Sequence, residues 1–244
     1  MSKTGIWKRE DLPDFAGQKV FVLNGAFFGN VVSMLARCGF QRSVTIEDAD
    51  LVVFTGGEDI NPKLYAQEPL RGTWFNDARD IVEEAAFHKA KKLNKPMFGI
   101  CRGAQFLHAM NGGLLWQHVI NHGRAHTITD IEEDIVVTAS SMHHQMLQNN
   151  DRIQIIAVAT EQVSTYFEDQ NVMFDLNKKG CTITSEMEIE AGFYTDSKCL
   201  FVQGHPEVGP APYTAWCMWK LHDWLSDLQP FQETMEDMII KQIG

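Results

Sequence analysis

An α/β fold, with an open and mostly parallel sheet covered by helices on both faces, is predicted by three observations. Short β-type runs alternate with amphipathic stretches from residue 19 to residue 110, the pattern of repeated strand–helix units that forms a three-layer sandwich. The apolar run Pro96 to Ile100 stops at a cysteine held between glycines, Gly99-Ile100-Cys101-Arg102-Gly103, and that G-x-C-x-G spacing suits a sharp strand-to-helix turn. The middle third carries strand-like runs with no helices between them, which adds a small antiparallel excursion to the sheet. At 244 residues, with no linker or repeat, residues 1–244 read as a single domain.

Taken in order, Lys19 to Leu23 (KVFVL) reads as a strand and Asn30 to Arg37 as a helix. Leu51 to Thr55 (LVVFT) is a second strand, ending at Gly56-Gly57. Asp77 to Leu93 is predicted as a long helix, capped by Asp77 and carrying Ile81, Ala85, Phe87 and Leu93 on its apolar positions. Pro96 to Ile100 is a buried strand and Cys101 to Met110 the helix after it. Ile135 to Thr138, Ile153 to Ala159 and Met187 to Phe193 form the antiparallel excursion, and Cys199 to Gln203 is the last core strand. Pro212 to Leu228 is a helix with Tyr213, Cys217, Leu221, Trp224 and Leu228 on one face. Met218 and Trp219 fall off that face, where a homo-oligomer contact would fit. A terminal piece places Phe231, Met235, Met238 and Ile239 at helical spacing.

Apolar content of 44% and charged content of 22% are those of an ordinary soluble globule. A formal charge of −11 argues against nucleic acid and anionic membrane as partners, while leaving room for a small anionic substrate. The five cysteines follow no spacing that suggests a disulfide frame or a zinc site. No apolar signal segment opens the chain, and no run approaches the roughly 20 apolar residues of a membrane span. A reducing cytoplasm is the expected location. The acidic runs Asp130 to Asp134 (DIEED) and Glu186 to Glu190 (EMEIE) read as solvated faces.

Ligands of an open α/β sheet sit beyond the carboxyl ends of its strands. Cys101, Gly56-Gly57 and His205 each follow the end of a predicted strand, so they should gather at one sheet edge. Cys101 opens a helix, where free amides and the dipole favour a thiolate. His205 would share its proton and later protonate a leaving amine. Glu207, two residues on in an extended segment stiffened by Pro206, points to the same face and can orient the imidazole. The amide of Arg102 and that of Gly57 are the expected oxyanion donors, although a Gly-Gly pair also suits a plain turn.

With those residues in place, the chain resembles the class I glutamine amidotransferase superfamily, and within it the γ-glutamyl hydrolase branch of C26 cysteine peptidases. The matching blocks are residues 55–65, Arg79-Asp80, residues 99–105, Asn111-Gly112-Gly113, His143-His144-Gln145 and Gln203-Gly204-His205-Pro206-Glu207. The resemblance implies a flavodoxin-like sheet, a Cys101–His205–Glu207 triad and a γ-glutamyl thioester hydrolysed by water. It also implies an oxyanion loop at Gly57 and a substrate pocket lined by Asp59, Gln105, His144 and Gln145. It implies a small γ-glutamyl or glutamine substrate and no cofactor. The block from Gly56 to Tyr65 is more typical of hydrolases than of ammonia-delivering subunits, which usually carry a proline-glycine loop. A glutaminase subunit serving a separate synthase partner shares the same catalytic residues and stays open, as does a non-catalytic module that kept the fold. The residue before the histidine is usually aromatic in this family and is Gly204 here, so the identity of the leaving group is left open.

His118, His122 and His126 are spaced four apart, which on a helix would make a metal-binding stripe. The run after Gly112-Gly113 belongs to extended structure by the same resemblance, so the three should not align and no metal site is expected.

Overall fold

A computed structural model describes residues 12–178 and 188–228. Met187 and the terminal positions from Phe231 onward lie outside the described residues. In chain order the elements are β1 (Lys19–Val22), α1 (Phe28–Arg37), β2 (Gln41–Arg42), β3 (Leu51–Phe54), a 3₁₀ turn (Pro62–Tyr65), α2 (Asp77–Lys92), β4 (Met97–Ile100), α3 (Arg102–Met110), β5 (Leu115–Trp116) and β6 (His118–Val119). They continue with β7 (His126–Asp130), β8 (Ile135–Ala139), β9 (Met146–Leu147), β10 (Gln154–Ala159), β11 (Tyr166–Glu168), β12 (Met173–Asp175), β13 (Ile189–Tyr194), β14 (Cys199–Val202) and α4 (Ala211–Leu228).

Among the described residues, nine strands form one sheet in the order β2-β1-β3-β4-β14-β13-β10-β7-β8. The β2 to β14 half is parallel throughout, and the β14 to β8 half is antiparallel. The expected α/β sheet is thus present. Its antiparallel part gains β7, a strand the sequence conceals because His126-Thr127-Ile128-Thr129-Asp130 is polar at four of five positions. Two small satellites, β12-β11-β6 and β5-β9, sit beside the main sheet.

Alternation along the buried strands assigns the two faces. Leu51, Val53, Phe98, Ile100, Leu200 and Val202 share one core with Val31 and Leu35 of α1 and with Trp216, Cys217 and Leu221 of α4. Val52, Phe54, Met97, Cys199 and Phe201 share the other with Phe87 of α2 and with Phe106 and Leu107 of α3. Helices therefore cover both faces. Met218 belongs to the first core and is fully buried, so it is withdrawn from any partner. Trp219 packs edge-on against His222.

Helix α2 departs from its predicted face. Ile81, Ala85 and Leu93 are exposed, and the buried side is Asp80, Glu83, Ala86, Phe87 and Ala90. The cause is the guanidinium of Arg102 on α3, which is itself buried and pairs with both Asp80 and Glu83. A charge that deep must have carboxylate partners, and α2 turns to supply them. Its N-cap is Asn76, whose side chain accepts the Arg79 amide, with Asp77 in the first turn. The acidic runs are corrected likewise. Asp130 is buried, accepting hydrogen bonds from the Trp216 indole and pairing with Lys220 to tie β7 to α4, while residues 131–134 are exposed. Glu188 and Glu190 are buried among histidines.

Candidate active site

Strands β3, β4 and β14 are parallel neighbours, so the residues after their carboxyl ends, Gly56-Gly57, Cys101 and His205, lie at one edge of the sheet. Cys101 continues the ladder by donating its amide to Val202 O at 2.9 Å and receives the Gln105 amide as the first turn of α3. Its φ of 52° and ψ of −108° place a non-glycine residue in sparsely populated backbone space, a strain that a rigid surround must hold. The surround is α3 pressed against β3: a Cβ at Gly103 would lie 2.1 Å from Phe54 O. The Cys101 side chain is left 6% exposed, facing the cleft.

His205 follows β14 and is held through its backbone. Its amide donates to Ser140 Oγ at 3.0 Å, and the Ser140 hydroxyl donates to His205 O at 2.7 Å. Thr214 of α4 donates to Pro206 O at 2.6 Å. The imidazole Nδ1 meets Glu207 Oε1 at 2.6 Å. Burial works against a charged imidazole here, but hydrogen bonding and charge from Cys101 and Glu207 outweigh it and push the pKa up to about 10. Phe27, in the left-handed region at the start of α1, sets its ring edge-on to His205 with centroids 5.4 Å apart. A Cβ at Gly204 would lie 2.5 Å from both Ser140 O and Tyr213 Oη, so a residue from α4 occupies the space beside this backbone.

The loop after β3 is pinned from below. Arg79 donates from Nη2 to Thr55 O at 3.0 Å and to Gly56 O at 2.9 Å, and pairs with Glu58 and Glu83. Gly57 has φ +147°, and a Cβ there would meet Arg79 Nη1 at 2.0 Å, so only glycine passes this point unstrained. A Cβ at Gly56 would lie 2.7 Å from His205 Cε1. With carbonyls 55 and 56 turned toward Arg79, the loop runs along the rim of the cleft that holds Cys101. Arg102 is the first residue of α3, and the first amides of a helix have no intrahelical acceptor.

That cleft, of about 140 Å³, is lined by Gly57, Glu58, Asp59, Trp74, Cys101, Gln105, Met142, His143 and His144. A larger hollow lies behind Glu207 against Pro206 and Thr214 and does not include Cys101. Of the expected pocket residues, Asp59, Gln105 and His144 are in the cleft. His144 Nε2 pairs with Asp59 Oδ1 at 2.9 Å, and that hydrogen bond raises the His144 pKa against the effect of burial. Gln145 is not among the lining residues. Its side chain turns away to donate to Gln117 O at 3.3 Å, while its carbonyl accepts from His143 Nδ1, Gln203 and Gln105. Met142, His143 and His144 all reach the cleft from an irregular segment, and the chain turns away from it at Gln145, just before β9.

Sequence reasoning gave no role to Arg79, Glu58 or Trp74. Arg79 lies within a matching block, and its i,i+4 relation to Glu83 was visible. Trp74, 78% exposed at the mouth of the cleft, has no local signal, because it reaches the site through the bridge between Asp59 and Phe75.

The model of the peptidase C26 family matches residues 33–207. The chain belongs to the peptidase C26 family. Among relatives of this C26 member, NtpR of Enterococcus hirae is 40% identical over 83 residues, 33% of the chain and 34% of NtpR. The glutamine amidotransferase-like protein YvdE of Lactococcus lactis is 30% identical over 171 residues, 65% of the chain and 66% of YvdE. The chain thus matches about a third of one relative's length and just under two thirds of the other's. A glutamine amidotransferase from Thermotoga maritima shares the fold, with a TM-score of 0.53 at 13% identity over 93% of this chain and 94% of that one.

Proposed function

We propose that this C26 member is a cysteine hydrolase that cleaves a γ-glutamyl amide bond, with Cys101, His205 and Glu207 as its triad. The observation that carries the reading is the strained Cys101 elbow at the foot of a cleft, with a His205–Glu207 pair at the end of the adjacent strand. The Cys101 thiolate adds to the γ-carbonyl carbon, and the negative charge on the carbonyl oxygen is taken by the amides of Gly57 and Arg102. Collapse breaks the C–N bond as imidazolium His205 gives its proton to the leaving amine. Neutral His205 then takes a proton from water, whose oxygen attacks the thioester. Glutamate leaves and the thiolate is restored. Glu207 holds the imidazole tautomer and stabilises the imidazolium.

The glutamyl end has matching groups in the cleft. Glu58 and Asp59 offer carboxylates for an α-ammonium, while Gln105 and the His144 imidazole offer donors for an α-carboxylate. Trp74 offers an aromatic face to the leaving amine at the mouth.

The test is incubation of the purified full chain with γ-glutamyl conjugates of aminobutyrate, polyamines and folate, and with glutamine, scored by glutamate release and by mass spectrometry of an acyl adduct on Cys101. Release from an amide conjugate, abolished in Cys101→Ala, is the expected result. No turnover of any conjugate while Cys101 remains alkylatable would overturn it. Glutamine turnover that appears only with a stoichiometric ATP-using partner would favour the ammonia-delivering subunit instead.

A further inference from the structure

Three histidines and a glutamate converge at the cleft wall, to which His143 belongs. His122 precedes β7, His126 opens it, His143 follows β8 and Glu190 sits on β13. The atoms of His122, His126 and Glu190 that could bind a metal lie within 4.8 Å of one another. Glu190 Oε1 is 3.0 Å from His126 Nε2, 3.4 Å from His122 Nδ1 and 3.9 Å from His143 Nε2. Four ligands at ~2.0–2.1 Å around a tetrahedral ion stand ~3.3 Å apart, and the three separations from Glu190 Oε1 bracket that spacing.

The opposite ring nitrogens decide what these atoms are. His143 Nδ1 lies 2.8 Å from Gln145 O and His126 Nδ1 lies 3.1 Å from Arg124 O. A carbonyl can only accept, so each of those nitrogens carries the proton; His143 Nε2 then presents a lone pair, and His126 Nε2, 3.0 Å from Glu190 Oε1, gives that carboxylate a proton whose place a metal would take. His122 Nε2 faces Glu188 Oε1 at 3.2 Å. That carboxylate is fixed as an acceptor by the amides of Val163 and Ser164, which leaves the lone pair of His122 on Nδ1. Three imidazole nitrogens therefore converge on one carboxylate oxygen, Glu190 Oε1, with His126 Nε2 hydrogen-bonded to it. His122 Nδ1, His143 Nε2 and Glu190 Oε2 are all buried with no hydrogen-bond partner among the described residues. Those unpaired buried atoms suit a bound cation, and the outer contacts of the cluster, two backbone carbonyls and a carboxylate each holding the far N–H of a histidine, are those that orient metal-binding imidazoles.

We propose that His122 Nδ1, His126 Nε2, His143 Nε2 and the Glu190 carboxylate bind a divalent transition metal, zinc by donor type and geometry, with Glu188 orienting His122. All four positions are taken by protein, so the site is structural. It clasps β7 and β13 to the segment whose Met142, His143 and His144 line the cleft. His126, the partly exposed ligand, gives the ion its way in. Of the three histidines spaced four apart, His118 turns to Arg71 O, so the spacing itself builds no site, and the remaining ligands come from distant segments.

The test uses untagged full-length protein purified without chelator. Elemental analysis should find about one zinc per chain after dialysis against metal-free buffer, and cobalt(II) reconstitution should give the intense visible bands of a tetrahedral site. Glu190→Gln and His143→Gln should lose the metal, Glu188→Gln should weaken binding by ~10–100-fold, and His88→Ala on the exposed face of α2 should leave it unchanged. Substoichiometric zinc in the wild type, with no tetrahedral cobalt spectrum and no thermal stabilisation by added zinc, would overturn the proposal, as would full metal retention in Glu190→Gln. Metal content is read without substrate, so this outcome stands apart from γ-glutamyl turnover.

Discussion

His205 lies between a sulfur and a carboxylate, 3% exposed, and its charge state is set by those two neighbours. Its pKa, pushed up to about 10 from an ordinary 6.5 by Cys101 and Glu207 against the effect of burial, makes the imidazolium the prevailing form through neutral pH. A raised histidine pKa contributes stability in full below the unfolded value, and that contribution is lost as pH rises through the folded value. Glu207→Gln removes a charge that favours the imidazolium, so it should lower the His205 pKa. The alkaline limb of kcat/KM and the alkaline loss of stability should both move to lower pH, with kcat reduced ~10²-fold or more. Superimposable pH profiles for the two proteins would contradict the pairing. The placement of these residues was legible in the sequence because glycines and proline punctuate their strand ends and an open α/β sheet gathers such ends at one edge. That of Gln145 was not, because where an irregular segment turns away from a cleft is set only by tertiary packing.

Between elements, the Arg102 guanidinium joins α3 to α2 through Asp80 and Glu83. Breaking a buried pair by deleting one partner leaves uncompensated charge, at a cost of ~3–5 kcal/mol. Arg102→Met should therefore lower the urea midpoint by a corresponding amount, and adding Asp80→Asn and Glu83→Gln should restore part of the loss. Equal stability of Arg102→Met and wild type would show the cluster to be dispensable. The same cluster explains why the face of α2 was misread: apolar periodicity cannot anticipate a cation arriving from another helix. The run ending at Glu190 was hidden for a like reason, since an acidic strand residue turns inward only when histidines come from segments 64 and 47 positions away in the chain.

Across the molecule, the central strands β3, β4 and β14 are buried on both faces, while the antiparallel half reaches back to the site through Ser140 and residues 142–144. Global opening is needed to expose the central strands, so the amides of β3, β4 and β14 should be the last to exchange with deuterated solvent, well after those of β8. Faster exchange in β4 than in β8 would mean the sheet opens from its centre. Fold class was readable from the alternation of strands and helices, but the size of the antiparallel half was not, because β7 carries too few apolar residues to announce itself. The crowding around residue 204 limits what can stand beside the proposed catalytic histidine. The Tyr213 phenol and the Ser140 carbonyl leave no volume for a side chain there, so any residue larger than glycine at 204 needs both the tip of residue 213 and the backbone at 140 to give way.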